Sequence, residues 1–382
     1  MIGKIILFKI LTIIVIVILG YIYKSNNIES MTNKGDDCKN LETLDINITP
    51  INYNQEVYNH DIRSFYIKTA YNCCAMGDFK NGYVNLCAMK NCIKQGARCL
   101  DMCIYNIDHS PEIAVSDTES FMLKGSKNSI PLGDVFTAIN DYAFNPNFCP
   151  NSTDPLFLHL RIKSAEDNIY TKIANSLNLY LKNKLLDTSK YGHEYYSSTD
   201  NTHNNIGSLS LNSPDIQGKI ILMVQMNNAI DLKDTHLDKY INICSVPSNL
   251  DLEKKTNAPP FLMCKYNNEI KNTHSMDAII NSNKQHMTIC LPDLSKDPVN
   301  YNSLIIKKYG CQFIAMSFQT DDANLQTYNK LFDKQAFILK PANLRYIKQY
   351  IDKPKENPPH IGLGTCQRIE LIGPASQRKM HI

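Results

Sequence analysis

The sequence predicts an α/β fold, with parallel strands and helices outside them, standing behind an apolar segment long enough to cross a bilayer. Three observations lead there. Strand-like and helix-like stretches alternate from about residue 60 to about 340, the pattern of an open sheet or of a (β/α)8 barrel. Residues 5–23 read IILFKILTIIVIVILGYIY, with Lys9 as their one charge. The 382 residues are 43% hydrophobic and 20% charged, a globular balance rather than a disordered one.

The N-terminal run matches the roughly 20 apolar residues that span a bilayer. Lys9 sits near one end, where its ammonium can snorkel to the interface. Tyr21 and Tyr23 suit the headgroup boundary. A cleaved signal peptide and a buried helix are the competing readings, but Gly20-Tyr21-Ile22-Tyr23 offers no small-residue cleavage site. Lys4 and Lys9 before the apolar centre weakly favour a cytoplasmic N-terminus. The expected localisation is therefore a membrane, by a single-pass anchor over 1–24, followed by a polar stalk over 25–58.

FYIKTA (65–70) reads as a strand that spills into Tyr71-Asn72-Cys73-Cys74 and a turn at Gly77-Asp78. A helix is expected over 82–95, then a strand over 97–107. LGDVFTAINDYAF (132–144) is helical by its apolar spacing, and LFLHL (156–160) is a compact buried strand. Residues 164–186 read as one long amphipathic helix and 187–213 as a loop. Further strands are expected near 218–224, 240–245, 286–290, 313–318 and 336–339, all parallel.

The net charge of +3, with lysines scattered rather than striped, argues against a nucleic-acid partner. No phosphate-binding glycine loop, nucleophile elbow or paired-histidine zinc motif is present. Thirteen cysteines leave at least one unpaired, and Cys73, Cys74, Cys87, Cys92, Cys99 and Cys103 crowd together. Disulfides, free buried thiols and a zinc site all stay open, the last resting only on the loose Cys87–Cys92 and Cys99–Cys103 spacings. Asn47-Ile48-Thr49 and Asn151-Ser152-Thr153 are glycosylation acceptors on paper.

The stretch from Gly310-Cys311-Gln312 through Ser317-Phe318-Gln319-Thr320 to Leu339-Lys340-Pro341 and Leu344-Arg345 resembles phosphoinositide-specific phospholipase C. Asn300-Tyr301 lies at the matching spacing upstream. Gly96-Ala97-Arg98-Cys99-Leu100-Asp101, Leu132-Gly133-Asp134-Val135, Pro155-Leu156-Phe157-Leu158 and Gly218-Lys219-Ile220-Ile221-Leu222 follow the same family's first half in order. The resemblance implies a TIM-type (β/α)8 barrel of two halves. The first covers 59–226 and the second 284–349, with a divergent connection over 227–283 and a tail over 350–382.

It also implies where the chemistry should sit. Such lipases pass protons through two imidazoles and hold calcium with hard oxygen ligands. The first catalytic histidine falls on Tyr71, followed by a retained Asn72, and the second falls on Val115. The acidic calcium ligands fall on Asp101, Cys103 and Arg161. Phosphate-binding lysines fall near Met223 and Gln225, and the headgroup arginine falls on Ile289. The expectation is a barrel without the hydrolase reaction, a pseudoenzyme with a binding or interaction role at a membrane and no calcium. Its partners would be the bilayer and a phosphoinositide or a protein. The alternative is a working phosphodiesterase with relocated residues, for which His109 and His159 are candidates; a structural membrane protein is a third reading. His109 otherwise reads as a solvated loop residue, and Asp101 as a structural carboxylate paired with Arg161.

Overall fold

Strands that are buried on both faces form wherever the apolar runs stand between helices, and the computed structural model contains eleven strands among its described residues. These residues are 15–16, 47–121, 123–193, 206–227, 229–248, 250 and 262–347. The strands are β1 (Phe65–Ala70), β2 (Cys99–Ile107), β3 (Ser110–Ala114), β4 (Ile130–Pro131), β5 (Leu156–Lys163), β6 (Ile220–Gln225), β7 (Ile243–Pro247), β8 (Leu262–Tyr266), β9 (Met287–Leu291), β10 (Phe313–Met316) and β11 (Phe337–Leu339). Every residue of β1, β5, β9 and β10 is buried, as parallel strands covered by helices require.

Eight of them, β1, β2, β5, β6, β7, β8, β9 and β10, pair in parallel in that order. The ring closes where β1 meets β10. This is the TIM-type α/β barrel expected from the sequence. The helices are α1 (Leu86–Lys94), α2 (Leu132–Tyr142), α3 (Asp167–Tyr180), α4 (Thr188–Tyr191), α5 (Asn267–Lys271), α6 (Met276–Gln285), α7 (Ser303–Lys308) and α8 (Ala323–Leu331). Asn85 and Asp322 start α1 and α8 by accepting from the amides of Cys87 and Leu325, the usual remedy for unpaired first-turn donors.

The barrel departs from the sequence reading in two places. Residues 337–339 do not join as a parallel strand; β11 runs antiparallel to β1 and lies outside the ring. The missing parallel strand is β8, inside the stretch read as a connection. Its sequence, LMCKY, alternates buried and half-buried residues, and its short apolar run ends in Lys265 and Tyr266. The expected helix over 164–186 is shorter, because α3 stops at Tyr180 and the chain turns at Leu181. β2 also extends past the ring into an antiparallel hairpin with β3, turning at Asp108 and His109, both at positive φ.

Contacts between strands that are not neighbours identify the barrel interior. The Phe157 and Phe313 rings meet edge to face at 5.1 Å across the barrel from β5 and β10. With a side-chain period of two, Phe157, His159, Arg161 and Lys163 therefore climb the inner face of β5. Register places Cys99, Asp101 and Cys103 beside the first three of these. The same reasoning points Met223, Gln225, Ser245, Cys264 and Ile289 inward.

The motifs that suggested the family hold the barrel together. Gln312 is fully buried; its amide donates to the carbonyls of Arg63, Asn283 and His286, and its oxygen accepts from Thr288. Asn300 clamps the turn after β10 by accepting from the Ser317 amide at 2.7 Å and donating to the Thr320 carbonyl at 3.1 Å.

Nine buried cysteines, from Cys73 to Cys311, are free thiols, and no cluster of metal-ligating residues occurs among the described residues. No helix among the described residues is long and apolar enough to cross a membrane. The proposed anchor, Val15 and Ile16 apart, lies outside the described residues. The described residues from 47 to Tyr346 belong to one compact unit.

Candidate functional site

The chain leaves β1 through a tight turn in which Asn72 takes φ 42°, a left-handed conformation that asparagine tolerates better than most residues. That turn carries two backbone amides onto β2. The Asn72 amide donates to Asp101 Oδ2 at 3.2 Å, and the Cys73 amide donates to the Asp101 carbonyl at 3.0 Å. The gap matters because β1 pairs with β2 only at Thr69↔Cys99 and Ala70↔Leu100. Above that point β2 turns to β3, and Asp101 tethers the two strands instead.

Arg161 completes this tether. Its Nε donates to Asp101 Oδ1 at 2.9 Å and its Nη2 to Asp101 Oδ2 at 2.8 Å, a two-pronged pair. Nη2 also donates to Asn72 Oδ1 at 2.7 Å, and the guanidinium lies 4.9 Å from the centre of the Tyr71 ring. His159 lies between Asp101 Oδ1 and Ser245 Oγ, 2.7 Å from each. An ionised carboxylate can only accept, so Nδ1–H donates to Asp101. Asp101, His159 and Ser245 are all 0% exposed.

Burial alone would push the Asp101 carboxyl up, but the Arg161 guanidinium and His159 together hold it down, at about 2. Burial works against the Arg161 cation too, and Asp101 more than reverses this. The Tyr71 phenol is driven well above its ordinary range by burial, which removes it further from any base role near pH 7.

The structure brings some of the sequence-predicted residues together and separates others. Asn72, Asp101, Arg161 and Tyr71 form one cluster. Tyr71 packs edge-on against Phe79 at 5.5 Å. Val115 is buried in the same apolar cluster, and its carbonyl accepts the Gly125 and Ser126 amides. Gly125 is needed there, since a Cβ would sit 2.3 Å from the Phe79 carbonyl oxygen. Cys103 is buried beside Arg161, with its thiol pushed up by burial. Met223 and Ile289 are fully buried, and Gln225 donates to Cys264 Sγ at 3.4 Å. His109 is at the hairpin tip, six residues from Val115, roughly 20 Å along an extended strand.

Calcium does not fit this arrangement. One carboxylate remains of the three implied, and its two oxygens already meet a guanidinium. A thiol and a cation hold the other positions, and neither suits a hard divalent ion. Sequence reasoning missed Ser245 as the partner of His159; a lone serine in the strand INICSV was the available signal.

Above this layer the barrel mouth opens as a cavity of about 480 Å³ between the C-terminal ends of β5, β6, β7 and β8. Gln225 and Cys264 line it below, and Lys163, Glu119 and Phe121 line its rim. Lys163 is ion-paired with Glu119. C-terminal strand ends are where such barrels keep their sites.

Comparison with known proteins agrees with the architecture. The family model described as phosphatidylinositol-specific phospholipase C, X domain, matches residues 58–225, and the Y-domain model matches residues 237–343. The crystal structure of S. officinalis PLC21 is similar over 77% of this chain and 39% of its own, at 17% identity and a TM-score of 0.60. That of L. pealei PLC21 is similar over 75% and 38%, at 18% identity and a TM-score of 0.59. The chain thus spans about two fifths of the length of these two proteins. No curated protein sequence matches it. The two halves of one catalytic barrel, matched in order along most of the chain, establish that it belongs to the phosphatidylinositol-specific phospholipase C family.

Proposed function

We propose that this chain is a member of the family that binds at a membrane without cleaving phosphodiesters. The observation that carries this reading is the Asp101–Arg161 pair, which puts a buried cation where the resemblance implies a calcium ligand. Tyr71 and Val115 supply no imidazole at the two proton-transfer positions. Met223, Gln225 and Ile289 supply no cation for a phosphorylated headgroup. The apolar run over 5–23 would anchor the barrel to the bilayer.

The second reading, a hydrolase with relocated residues, draws on the Ser245–His159–Asp101 hydrogen-bond chain. Those groups have the order of a nucleophile, base and orienting acid. All three are fully buried within the barrel, where a lipid phosphodiester does not reach them. They act instead as a polar layer that satisfies Asp101.

The deciding experiment is release of inositol phosphate from phosphoinositide vesicles with calcium present. No turnover above a heat-killed control is expected. Turnover that is lost in His159→Ala or His109→Ala would establish the hydrolase reading. For the anchor, full-length protein should stay with membranes through carbonate extraction, and a chain starting near residue 30 should not.

A further inference from the structure

We propose that Asn47 is an N-glycosylation site at the base of the barrel, and that the fold excludes the chain's other acceptor motif, at Asn151. This assignment builds on the reading of 5–23 as an anchor with a cytoplasmic N-terminus, which puts the barrel on the side of the membrane where glycans are added. The chain has two Asn-X-Ser/Thr motifs without a middle proline, Asn47-Ile48-Thr49 and Asn151-Ser152-Thr153. A glycan is bulky and hydrophilic, so its asparagine must stand at the surface.

The first motif meets that condition. Residues 47–50 have no regular structure, and Asn47 and Thr49 are exposed while Ile48 between them is 5% exposed. This alternation is that of an extended segment lying on a surface. Ile48 packs over Gly96, where an added Cβ would come within 2.7 Å of the isoleucine Cδ1. The Thr49 amide donates to the Lys334 carbonyl at 2.8 Å, and the Ile51 amide donates to Asp154 Oδ1 at 2.8 Å. Gly96 and Asp154 lie just before β2 and β5. The segment is thus fixed across the end of the barrel opposite its mouth, with Asn47 outward. A glycan there leaves the mouth open.

The second motif fails. Asn151 is 0% exposed. Its Nδ2 donates to the Gly96 carbonyl at 3.2 Å, and its Oδ1 accepts from Arg98 Nη2 at 3.2 Å and from Cys149 Sγ at 3.3 Å. Arg98 is also 0% exposed, so Asn151 helps satisfy a buried cation. A sugar on Nδ2 would force this side chain out and leave Arg98 short of an acceptor, at a large cost. Chains modified at Asn151 before folding should not reach the native structure.

The chemistry of Cys87 agrees with the compartment. Cys87 is disulfide-bonded, and such bonds persist on the oxidising side of a membrane. The transfer itself is a substitution at the anomeric carbon of a lipid-diphosphate-linked oligosaccharide, brought by the transferase of the secretory membrane. The Asn47 side-chain nitrogen forms the bond to the sugar and gives up a proton. The bond between sugar and phosphate oxygen breaks, and the lipid diphosphate leaves with its electron pair.

The test translates the full-length protein into sealed eukaryotic microsomes. Protease added outside reads the orientation. Enzymatic release of glycans leaves aspartate at each formerly glycosylated asparagine, so peptide mapping reads the sites. A protease-protected barrel with a single glycan, at Asn47, is expected. That glycan should be lost in Asn47→Gln and in Thr49→Ala, and kept in Thr49→Ser, which preserves the motif. It should be unaffected by Thr153→Ala, which removes the second motif without touching Asn151. A protected barrel bare at Asn47 overturns the proposal alone. So does a glycan on Asn151 in protein that still resists protease once detergent opens the membrane. A barrel cleaved in sealed microsomes overturns the proposal and the orientation together. Phosphoinositide turnover, measured separately, bears on the proposed function alone.

Discussion

Arg161 and Asp101 meet inside the barrel through two parallel hydrogen bonds of 2.9 and 2.8 Å, on neighbouring strands at a register where Asp101 lies beside His159 and Cys103 beside Arg161. Neither side chain is more than 2% exposed. The pair closes the upper seam between β1 and β2 through Asn72, where no backbone ladder does so. Removing one partner leaves a buried, uncompensated charge. Arg161→Ala should therefore cost about 3–5 kcal/mol, while Asp101→Leu with Arg161→Met should recover much of that loss. Urea denaturation of the three proteins measures it. A cost for Arg161→Ala below about 1 kcal/mol would show that the seam is held by something else.

The pH dependence of this pair has a definite sign. The Asp101 carboxyl sits at about 2 in the folded protein against an ordinary 3.8. The folded state therefore binds its proton less readily than the unfolded state does. Its stabilisation is complete above about pH 4 and is lost as pH falls toward 2. The stability difference between the unmodified protein and Asp101→Asn should shrink across that window. A difference that stays constant from pH 5 to pH 2 would remove Asp101 as the titrating group.

Histidines placed at the two positions where the resemblance implies them should not by themselves confer cleavage. Tyr71→His with Val115→His supplies the imidazoles but leaves Arg161 and Cys103 where hard oxygen ligands would be needed. Arg161→Glu with Cys103→Asp should be required before calcium binds measurably by calorimetry. Inositol phosphate release by the double-histidine variant would show that the Asp101–Arg161 pair does not exclude the metal.

Two buried lysines should make the fold more stable as pH rises from neutral. Burial pushes the Lys68 and Lys340 ammonium groups down to about 7, and they donate to the Gln95 and Asn283 carbonyls at 2.7 and 3.2 Å. Between about 7 and their ordinary 10.5 the unfolded chain holds these protons and the folded chain does not, so stability rises with pH. Buried thiols such as Cys92 and Cys99, raised above 9.0 by burial, act oppositely at higher pH. The informative range is therefore pH 7 to about 8.5. Lys68→Met should be more stable than the unmodified protein at pH 6, by a margin that narrows toward pH 8.5. A pH-independent margin would mean that Lys68 does not change protonation on folding.

Much of the barrel was legible because its signals are local or carried by motifs with structural duties. Apolar runs such as LFLHL and FIAM declare strands buried on both faces. Gly310-Cys311-Gln312 has a structural duty, since Gln312 bonds four backbone groups. β8 was missed because its apolar run is short and its second half is only partly buried, and β11 because nothing local distinguishes antiparallel from parallel pairing.

The sequence by itself determined the family and the barrel class, and its resemblance implied that Tyr71 and Val115 fall at two histidine positions, since those are matters of residue identity and order. Only the tertiary structure decided what the residues at the site became. Arg161 could have faced solvent; strand register turned it inward onto Asp101. His159 could have been a relocated base, but β7 brought Ser245 to its far nitrogen and buried both. The mouth draws Glu119, Glu166 and Glu269 from three segments far apart in the chain. Side-chain partnerships between distant segments depend on closure of the sheet, and closure is a property of eight strands together rather than of any one stretch of sequence.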